Sequence, residues 1–504
     1  MVQTLHLHPA DNVLIAVDSI PTGTRIAALN QNATHEIPAG HKIAAVDIRK
    51  DGHITKCDCP IGIASNDIKA GAHVHTHNIS DPLTVATGTV AAGFTEQPKP
   101  APSSSLSFEG YQRPNGTAGT RNFVGILTTV NCSATVARYV ADTFRSAEAF
   151  RDYPQIDGVV AFTHPTGCGM QTGGEGHTLL KRVIEGYMDH PNIGGVLLIG
   201  LGCEVNGIDA SYTEQDFAKP FHKFNIQEYG GTTETVRKGV ELVTAMLPEV
   251  NKAVRQRISL NQLTVGLQCG GSDAFSVVSS NPALGRASDL LVRNGGTVIL
   301  SETPEVAHCA PWLMQRAQND EVRKRLRERL DWWERYTLAH RTSIESNPAP
   351  GNLAGGISTL TEKTLGSIIK AGSSALNGVY QYAERVTARG FLFMDSPGFD
   401  PVSVTGQIAS GANLVCFTTG RGSVFGSKPA PCIKLASNSP LYKRMQDDID
   451  INCGTIVDGQ ADIETMGETI FEHFIATASG KPTKSESLGF GENEFAPWML
   501  GAVL

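Results

Sequence analysis

From about residue 108 onward, continuous apolar runs alternate with segments of helical spacing, and this rhythm restricts the fold more than any other feature. "NFVGILTTVNC" is apolar and β-branched, and "SATVARYVADTF" after it repeats its apolar positions at helical intervals. "DGVVAFTHPTGCG" leads into "EGHTLLKRVIEGYMDH", and "IGGVLLIGLGCE" is a third such run. Strands without polar alternation are buried on both faces, which requires a parallel sheet with helices on either side. A boundary falls near 255, after the helix "TTETVRKGVELVTAMLPEVNKAVR". The pattern then restarts with "LTVGLQCGGSD", the helix "NPALGRASDLLVRNG" and "GTVILSE". "GFLFMDSPG" and "NLVCFTTGRG" are later strands, and a closing helix lies near 462–479. The charged run "RKRLRERLDWWERY" reads as a solvated amphipathic helix with Trp332 and Trp333 partly packed.

Residues 1–90 have a different texture. "NVLIAVD", "TRIAAL", "HKIAAVDI", "HITKCDCPIGIAS" and "GAHVHTHNI" are short, β-branched and broken by Gly or Pro, the pattern of a small all-β module. Residues 91–107, rich in Pro and Ser, read as a linker. The fold class is therefore α/β: a small all-β domain in front, then two parallel-sheet α/β segments over 108–255 and 256–504. A length of 504 residues suits several domains, and 40% hydrophobic with 18% charged residues suits a soluble globular chain.

A formal charge of −8 excludes a nucleic-acid footprint, which needs a basic excess. The apolar runs are too short to span a membrane, and the amino end lacks the features of a secretory signal. A cytoplasmic location is expected. There the ten cysteines are buried, ligating or reactive rather than disulfide-bonded.

Four cysteines end strands: Cys132, Cys168, Cys203 and Cys269. The first three recur at about 35 residues, the length of a strand, crossover helix and return. Such positions fall at the carboxyl ends of neighbouring strands, where ligands bind. They are either turn-filling small residues or thiolate ligands of a metal, a single Fe(II) or an iron–sulfur cluster with one open iron. "GAHVHTHN" sets His73, His75 and His77 at alternate positions, so on a strand they share a face. This is either a polar strand edge or part of a divalent metal site, with His73 and His75 the expected ligands. At other strand ends stand His164, His177, Ser272, Asp273 and Glu302, candidates to carry a proton. Arg421, between Gly420 and Gly422, offers a guanidinium and backbone N–H groups to an anion.

"GYQRPNGTAGTRN", "HPTGCG", "IGLGCE", "QCGGSDAFS", "NPAPGNLAGGISTLTEKTLGSIIKAG" and "TTGRGS" together resemble the altronate/galactarate dehydratase family. The front module resembles the SAF (β-clip) domain at that family's amino end. "GLQCGGSDAFS" leans toward galactarate dehydratase and "GAHVHTHN" toward altronate dehydratase and the sulfolactate sulfo-lyase branch. The resemblance implies an iron-dependent hydro-lyase of carbohydrate-acid catabolism, giving 2-keto-3-deoxy acids from an aldonate or aldarate. It adds Arg121 of "GTRN" to the substrate-binding set. It implies Fe2+ or an iron–sulfur cluster, no nicotinamide or nucleotide, and a small sugar acid as partner, with self-association into a homo-oligomer left open. The alternatives are a C–S lyase of the sulfolactate type and a non-catalytic sugar-acid or metal-binding regulator. The front module is expected to fold over the cysteine rim, its His strand serving as lid or ligand.

Overall fold

A computed structural model of the chain describes residues 3–81, 106–208, 212, 218–344 and 348–503. The linker reading at 91–107 lies outside these residues except for Leu106 and Ser107.

The front module is built from short antiparallel strands. Val13–Ala16, Lys42–Ala44 and His73–Val74 pair in one sheet, with Thr4–Leu5 at its edge. His53–Lys56, Cys59–Ala64 and Ile79–Ser80 form another. A module of this size buries little apolar surface by itself. Its inward residues Val13, Ile54, Ile61 and Val74 instead join Leu284, Leu365 and Ile368 of the C-terminal segment in one continuous core.

The second segment holds a four-stranded parallel sheet in the order Gly158–Phe162, Phe123–Thr128, Ile193–Gly200, Phe221–Asn225. Ile193–Gly200 is buried along its whole length, as an unbroken apolar run should be between two helical layers. Helices Ala134–Asp142 and Thr232–Val250 cover one face with Val136, Val140, Val243 and Met246. Helix Glu175–Met188 covers the other and crosses helix Asp400–Ser410 of the C-terminal segment at a backbone contact. A Cβ on Gly186 would meet the Ala409 carbonyl at 2.4 Å, so glycine permits the crossing. The strands on either side of this segment, Ser107–Gln112 and Arg255–Ser259, pair with each other.

The third segment carries a seven-stranded parallel sheet. Its order is Leu376–Tyr380, Gly390–Met394, Thr297–Leu300, Thr264–Cys269, Leu414–Thr419, Cys432–Ala436, Ile451–Asn452. Thr264–Cys269 connects onward to one side and Leu414–Thr419 to the other, so the strand order reverses between them. At such a switch point the two outgoing loops part and leave a crevice at the carboxyl ends. The loops here are Gly270–Asp273 and Gly420–Gly422. The chain finally runs back onto the second segment, where Phe495 packs on Phe162 and Tyr187. No helix among the described residues is long and apolar enough to cross a membrane.

Candidate functional site

A cleft of about 390 Å³ opens at the switch point, lined by Asp273, Gly355, Gly420, Arg421, Asn438 and Arg444, with Ser19 and Ala39 of the front module on its opposite wall. The loop is held by Gly420 and Arg421 N–H groups, which both donate to the Gly271 carbonyl at 3.1 and 2.8 Å. Gly420 is obligatory, because a Cβ there would overlap the Asp273 carboxyl carbon at 2.1 Å. The Arg421 side chain is exposed and has no ion pair or hydrogen bond among the described residues, leaving its fork for a ligand. Asp273 is buried beside it. Its Oδ1 accepts from Ser276 N–H at 2.9 Å and from the Ser276 and Ser437 hydroxyls at 2.8 Å, and its Oδ2 accepts from Asn438 at 3.0 Å. Burial pushes this carboxyl above the usual range, and those donors oppose the shift.

The imidazoles stand next to this cleft. The strand His73–Val74 ends before His75, so the three histidines do not line one strand face as alternation predicts. A tight turn collects them instead. The His75 N–H donates to Asn78 Oδ1 and Asn78 Nδ2 donates to the His73 carbonyl, both at 2.9 Å. His41, from the paired strand's start, completes the group: its Nδ1 faces His73 Nε2 at 2.9 Å and its Nε2 points at the Ala354 carbonyl at 3.4 Å. One nitrogen from each of His41, His73 and His75 lies within 4.8 Å of the others. His77 is exposed, its ring tilted 47° to that of His73 with centroids 5.3 Å apart.

These residues fit a divalent cation. The His75 Nδ1 is buried without a hydrogen-bond partner, an arrangement a metal resolves. Ligands at right angles on bonds of about 2.1 Å stand about 3.0 Å apart, close to the His41–His73 separation. Burial first, then neighbouring imidazoles, pushes His73 down to about 3, and burial with Lys42 pushes His75 down to about 4. Both are therefore unprotonated and able to ligate at neutral pH.

A buried ion triad fixes the two walls of the cleft. Glu362 Oε2 accepts from Lys42 Nζ at 2.8 Å and its Oε1 from Lys56 Nζ at 2.9 Å, with all three side chains at most 2% exposed. Lys42 also donates to the Gly356 carbonyl at 2.7 Å. The front and C-terminal backbones touch at glycines: a Cβ on Gly356 (φ +94°) would meet the Gly40 carbonyl at 2.5 Å. Burial would raise the Glu362 carboxyl, but the two ammonium groups hold it well below the usual range. The same burial pulls Lys42 down to about 8.

The remaining candidates lie in three other places. Cys132, Cys168 and Cys203 are exposed on the loops after three adjacent parallel strands of the second segment. Cys269 does not join them. It ends a strand of the other sheet and is buried against Glu305 and Ser367, because the two α/β segments form separate sheets. The front module likewise meets the C-terminal segment rather than the cysteine rim, since its buried lysines find their counter-charge, Glu362, there. Glu302 stands beside Cys269 and Glu305 in the left-handed region (φ 70°) and is 2% exposed. Burial and then the Glu305 charge raise it well above the carboxylate range, and Lys363 is paired to Glu305 at 2.7 Å. It does not line the cleft; its carboxylate, that of Glu305 and the Cys269 thiol form a second buried group whose ligand atoms lie within 4.8 Å of one another. Ser272 is also buried beneath the cleft, its carbonyl accepting from Asn352 at 3.0 Å.

Arg121 must be reassigned. All five of its N–H groups are used within the chain: by Glu486 at 2.7 and 2.9 Å, and by the Thr120, Thr477 and Lys481 carbonyls. It ties the second segment to the C-terminal tail and has no donor left for substrate. His177 opens helix Glu175–Met188, and its Nδ1 accepts from the Gly173 N–H at 3.0 Å, away from the cleft. His164 is likewise a scaffold residue. Its Nε2 donates to the Thr128 carbonyl at 2.9 Å, its Nδ1 accepts from the Thr166 N–H, and burial pushes it down to about 4. Between pH 6.5 and 4 the unfolded imidazole therefore binds a proton that the folded one refuses, and stability falls on acidification. His164 alone should cost about 2 kcal/mol between pH 7 and pH 5. His164→Gln, which retains a donor for Thr128 and does not titrate, should remove that component from urea-unfolding free energies measured across this range.

Sequence reasoning missed His41, Lys42, Lys56 and Glu362. The available signal was the polar residue inside an apolar strand, "HKIAA" and "HITKC", since a lysine placed in such a run must find a buried partner.

Comparison with known proteins agrees with this architecture. Residues 2–82 match the altronate/galactarate dehydratase SAF domain, 110–251 the D-galactarate dehydratase/altronate hydrolase second domain, and 260–503 the D-galactarate/altronate dehydratase C-terminal domain. The chain is 35% identical over 495 residues to altronate dehydratase of Bacillus subtilis (strain 168), covering 97% of each protein. It is 38% identical over 488 residues to galactarate dehydratase (L-threo-forming) of Escherichia coli (strain K12), covering 95% of this chain and 93% of that one. It is 32% identical over 394 residues to the (2R)-sulfolactate sulfo-lyase subunit beta of Chromohalobacter salexigens, covering 77% of this chain and 96% of the subunit. With three matching domains in the family's order and full-length relatives above 30% identity, the chain belongs to the altronate/galactarate dehydratase family.

Proposed function

We propose that the chain removes water from a sugar acid, an aldonate or aldarate such as altronate or galactarate, giving a 2-keto-3-deoxy acid. The observation that carries this reading is the unpaired Arg421 guanidinium, set with Asp273 at the sheet's switch point beside the His41, His73 and His75 imidazoles. Arg421 binds the substrate carboxylate. The α-proton next to that carboxylate resists removal, because the carbanion adds charge beside existing charge. Asp273, whose Oδ2 carries a single hydrogen bond, accepts this proton. The electron pair forms the C2=C3 bond, the protonated Asp273 returns its proton to the departing C3 hydroxyl so that it leaves as water, and the enol tautomerises to the keto acid. A divalent iron held by His41, His73 and His75 would supply Lewis-acid stabilisation of the carboxylate or the departing hydroxyl. The substrate is a small molecule, and ten free cysteines are consistent with a cytosolic enzyme.

The test is a panel of aldonates and aldarates, incubated anaerobically with Fe(II) and assayed for keto-acid formation. No product from any sugar acid with metal bound would overturn the reading. The sulfo-lyase relative supports a second reading in which the same carbanion expels sulfite, and sulfite release from sulfolactate would identify it. Arg421→Lys keeps the charge and loses the bidentate fork. It should weaken transition-state stabilisation by about 1.5–3 kcal/mol, a 10- to 150-fold fall in kcat/KM, and an unchanged kcat/KM would remove Arg421 from the site.

A further inference from the structure

Three of the ten cysteines are exposed, and they are the three that follow adjacent strands of the second segment. Cys132 belongs to the loop after the inner strand Phe123–Thr128, while Cys168 and Cys203 follow the strands on its two sides. The loops are bound directly to one another. Asn131 N–H donates to the Thr166 carbonyl at 2.9 Å, and Asn206 N–H to the Gly167 carbonyl at 3.0 Å. Asn206 Nδ2 donates to the Thr129 carbonyl, also at 2.9 Å, and the Thr129 hydroxyl donates to Glu204. Glu204 turns inward, accepting from the Leu201, Gly202 and Cys203 N–H groups, and so fixes the Cys203 loop without offering itself as a ligand. Left-handed glycines flank the thiols, Gly167 and Gly169 about Cys168 and Gly202 before Cys203. At Gly167 a Cβ would meet the Thr129 carbonyl at 2.2 Å, so this loop is pressed against the first. A rigid three-loop frame that holds its thiols outward is costly to build for cysteines that only fill turns, which are ordinarily buried.

We propose that Cys132, Cys168 and Cys203 hold a [4Fe–4S] cluster, a centre separate from the imidazole site. Spacing is against one ion shared by all three thiolates. Three thiolates on a single tetrahedral metal stand about 3.8 Å apart on bonds of about 2.3 Å. These thiols do not gather within 4.8 Å of one another, as the imidazoles do. In a cubane cluster each thiolate binds its own iron, so the ligands sit further apart. The Gln227 side-chain amide donates to Cys203 Sγ at 3.5 Å, the kind of hydrogen bond to sulfur that tunes such clusters. Three thiolates serve three irons, and the fourth corner is left to an oxygen donor such as a hydroxyl or carboxylate.

The full chain, purified and reconstituted anaerobically with Fe(II) and sulfide, tests this. The expected result is visible thiolate-to-iron absorption with about four irons and four sulfides per chain at this centre. Each of Cys132→Ser, Cys168→Ser and Cys203→Ser should lose it, while His73→Ala/His75→Ala should retain it and lose only the sulfide-free iron. Loading should also protect these three thiols from alkylation, read by mass spectrometry on the unsubstituted chain. A wild-type chain that takes up no sulfide, serine variants that load like wild type, thiols that stay alkylatable after loading, or a disulfide formed in place of a cluster would each overturn the proposal. The dehydratase reading stands or falls on keto-acid formation, independently of these outcomes.

Discussion

Glu362→Ala should destabilise the chain by about 3–5 kcal/mol, the range for breaking a buried ion pair from one side. The variant strands two ammonium groups, Lys42 and Lys56, whose side chains are 0% and 1% exposed. Neither has another carboxylate to turn to among the described residues: their other partners there are the Gly356 and Ala274 carbonyls. Lys42, already pulled down to about 8 by burial, has the easier escape by losing its proton, which limits the loss as pH rises. The damage should therefore be greater at pH 7 than at pH 9. Chemical unfolding at the two pH values measures it, and a change below 1 kcal/mol at pH 7 would show that the triad does not hold the front module in place. Replacing all three residues by apolar ones of similar size should be far milder, because no charge is left behind.

His73→Ala/His75→Ala should abolish metal retention at the imidazole centre and lower turnover by more than about 100-fold, beyond the 10–100-fold typical of losing a group that merely orients a ligand. Two of the three nitrogens gathered within 4.8 Å disappear, and His41 alone offers no chelate. His41→Ala should act in the same direction, since its Nδ1 faces His73 Nε2 at 2.9 Å and the Ala354 carbonyl fixes its ring. Elemental analysis and keto-acid assays on the same preparations give both readouts. Wild-type values for both in the double variant would make the histidines a polar strand edge and nothing more.

The fold class was legible because buried parallel strands must be apolar on both faces, and "GVLLIG" carries that requirement in its composition. Strand ends were legible for the same reason, so Asp273 and Arg421 could be picked out as groups at carboxyl termini. Which strands become neighbours was not. Nothing local separates Cys269 from Cys203, yet one ends a seven-stranded sheet and the other a four-stranded one. Arg121 read as a ligand-binding arginine because its bidentate partner, Glu486, lies 365 positions away. The Lys42–Glu362 pair spans 320 positions. His41 was overlooked although only 32 positions separate it from His73, because pairing of Lys42–Ala44 with His73–Val74 is a property of register, not of pattern.

The continuous core beneath the front module, together with the Lys42–Glu362–Lys56 triad, has a consequence for how a substrate is chosen. A cleft whose walls are bolted together cannot close around its guest like a hinged pair of domains. Sugar acids that differ only in the configuration of one hydroxyl must then be sorted by a shape that exists before they arrive, with no compensating adjustment afterwards. The chain as a whole carries a charge of −8 and repels such anions at long range, whereas Arg421 and Arg444, which line the cleft, would on the proposed reading draw them in over the last few ångströms. Capture becomes a matter of local electrostatic focusing onto a rigid die.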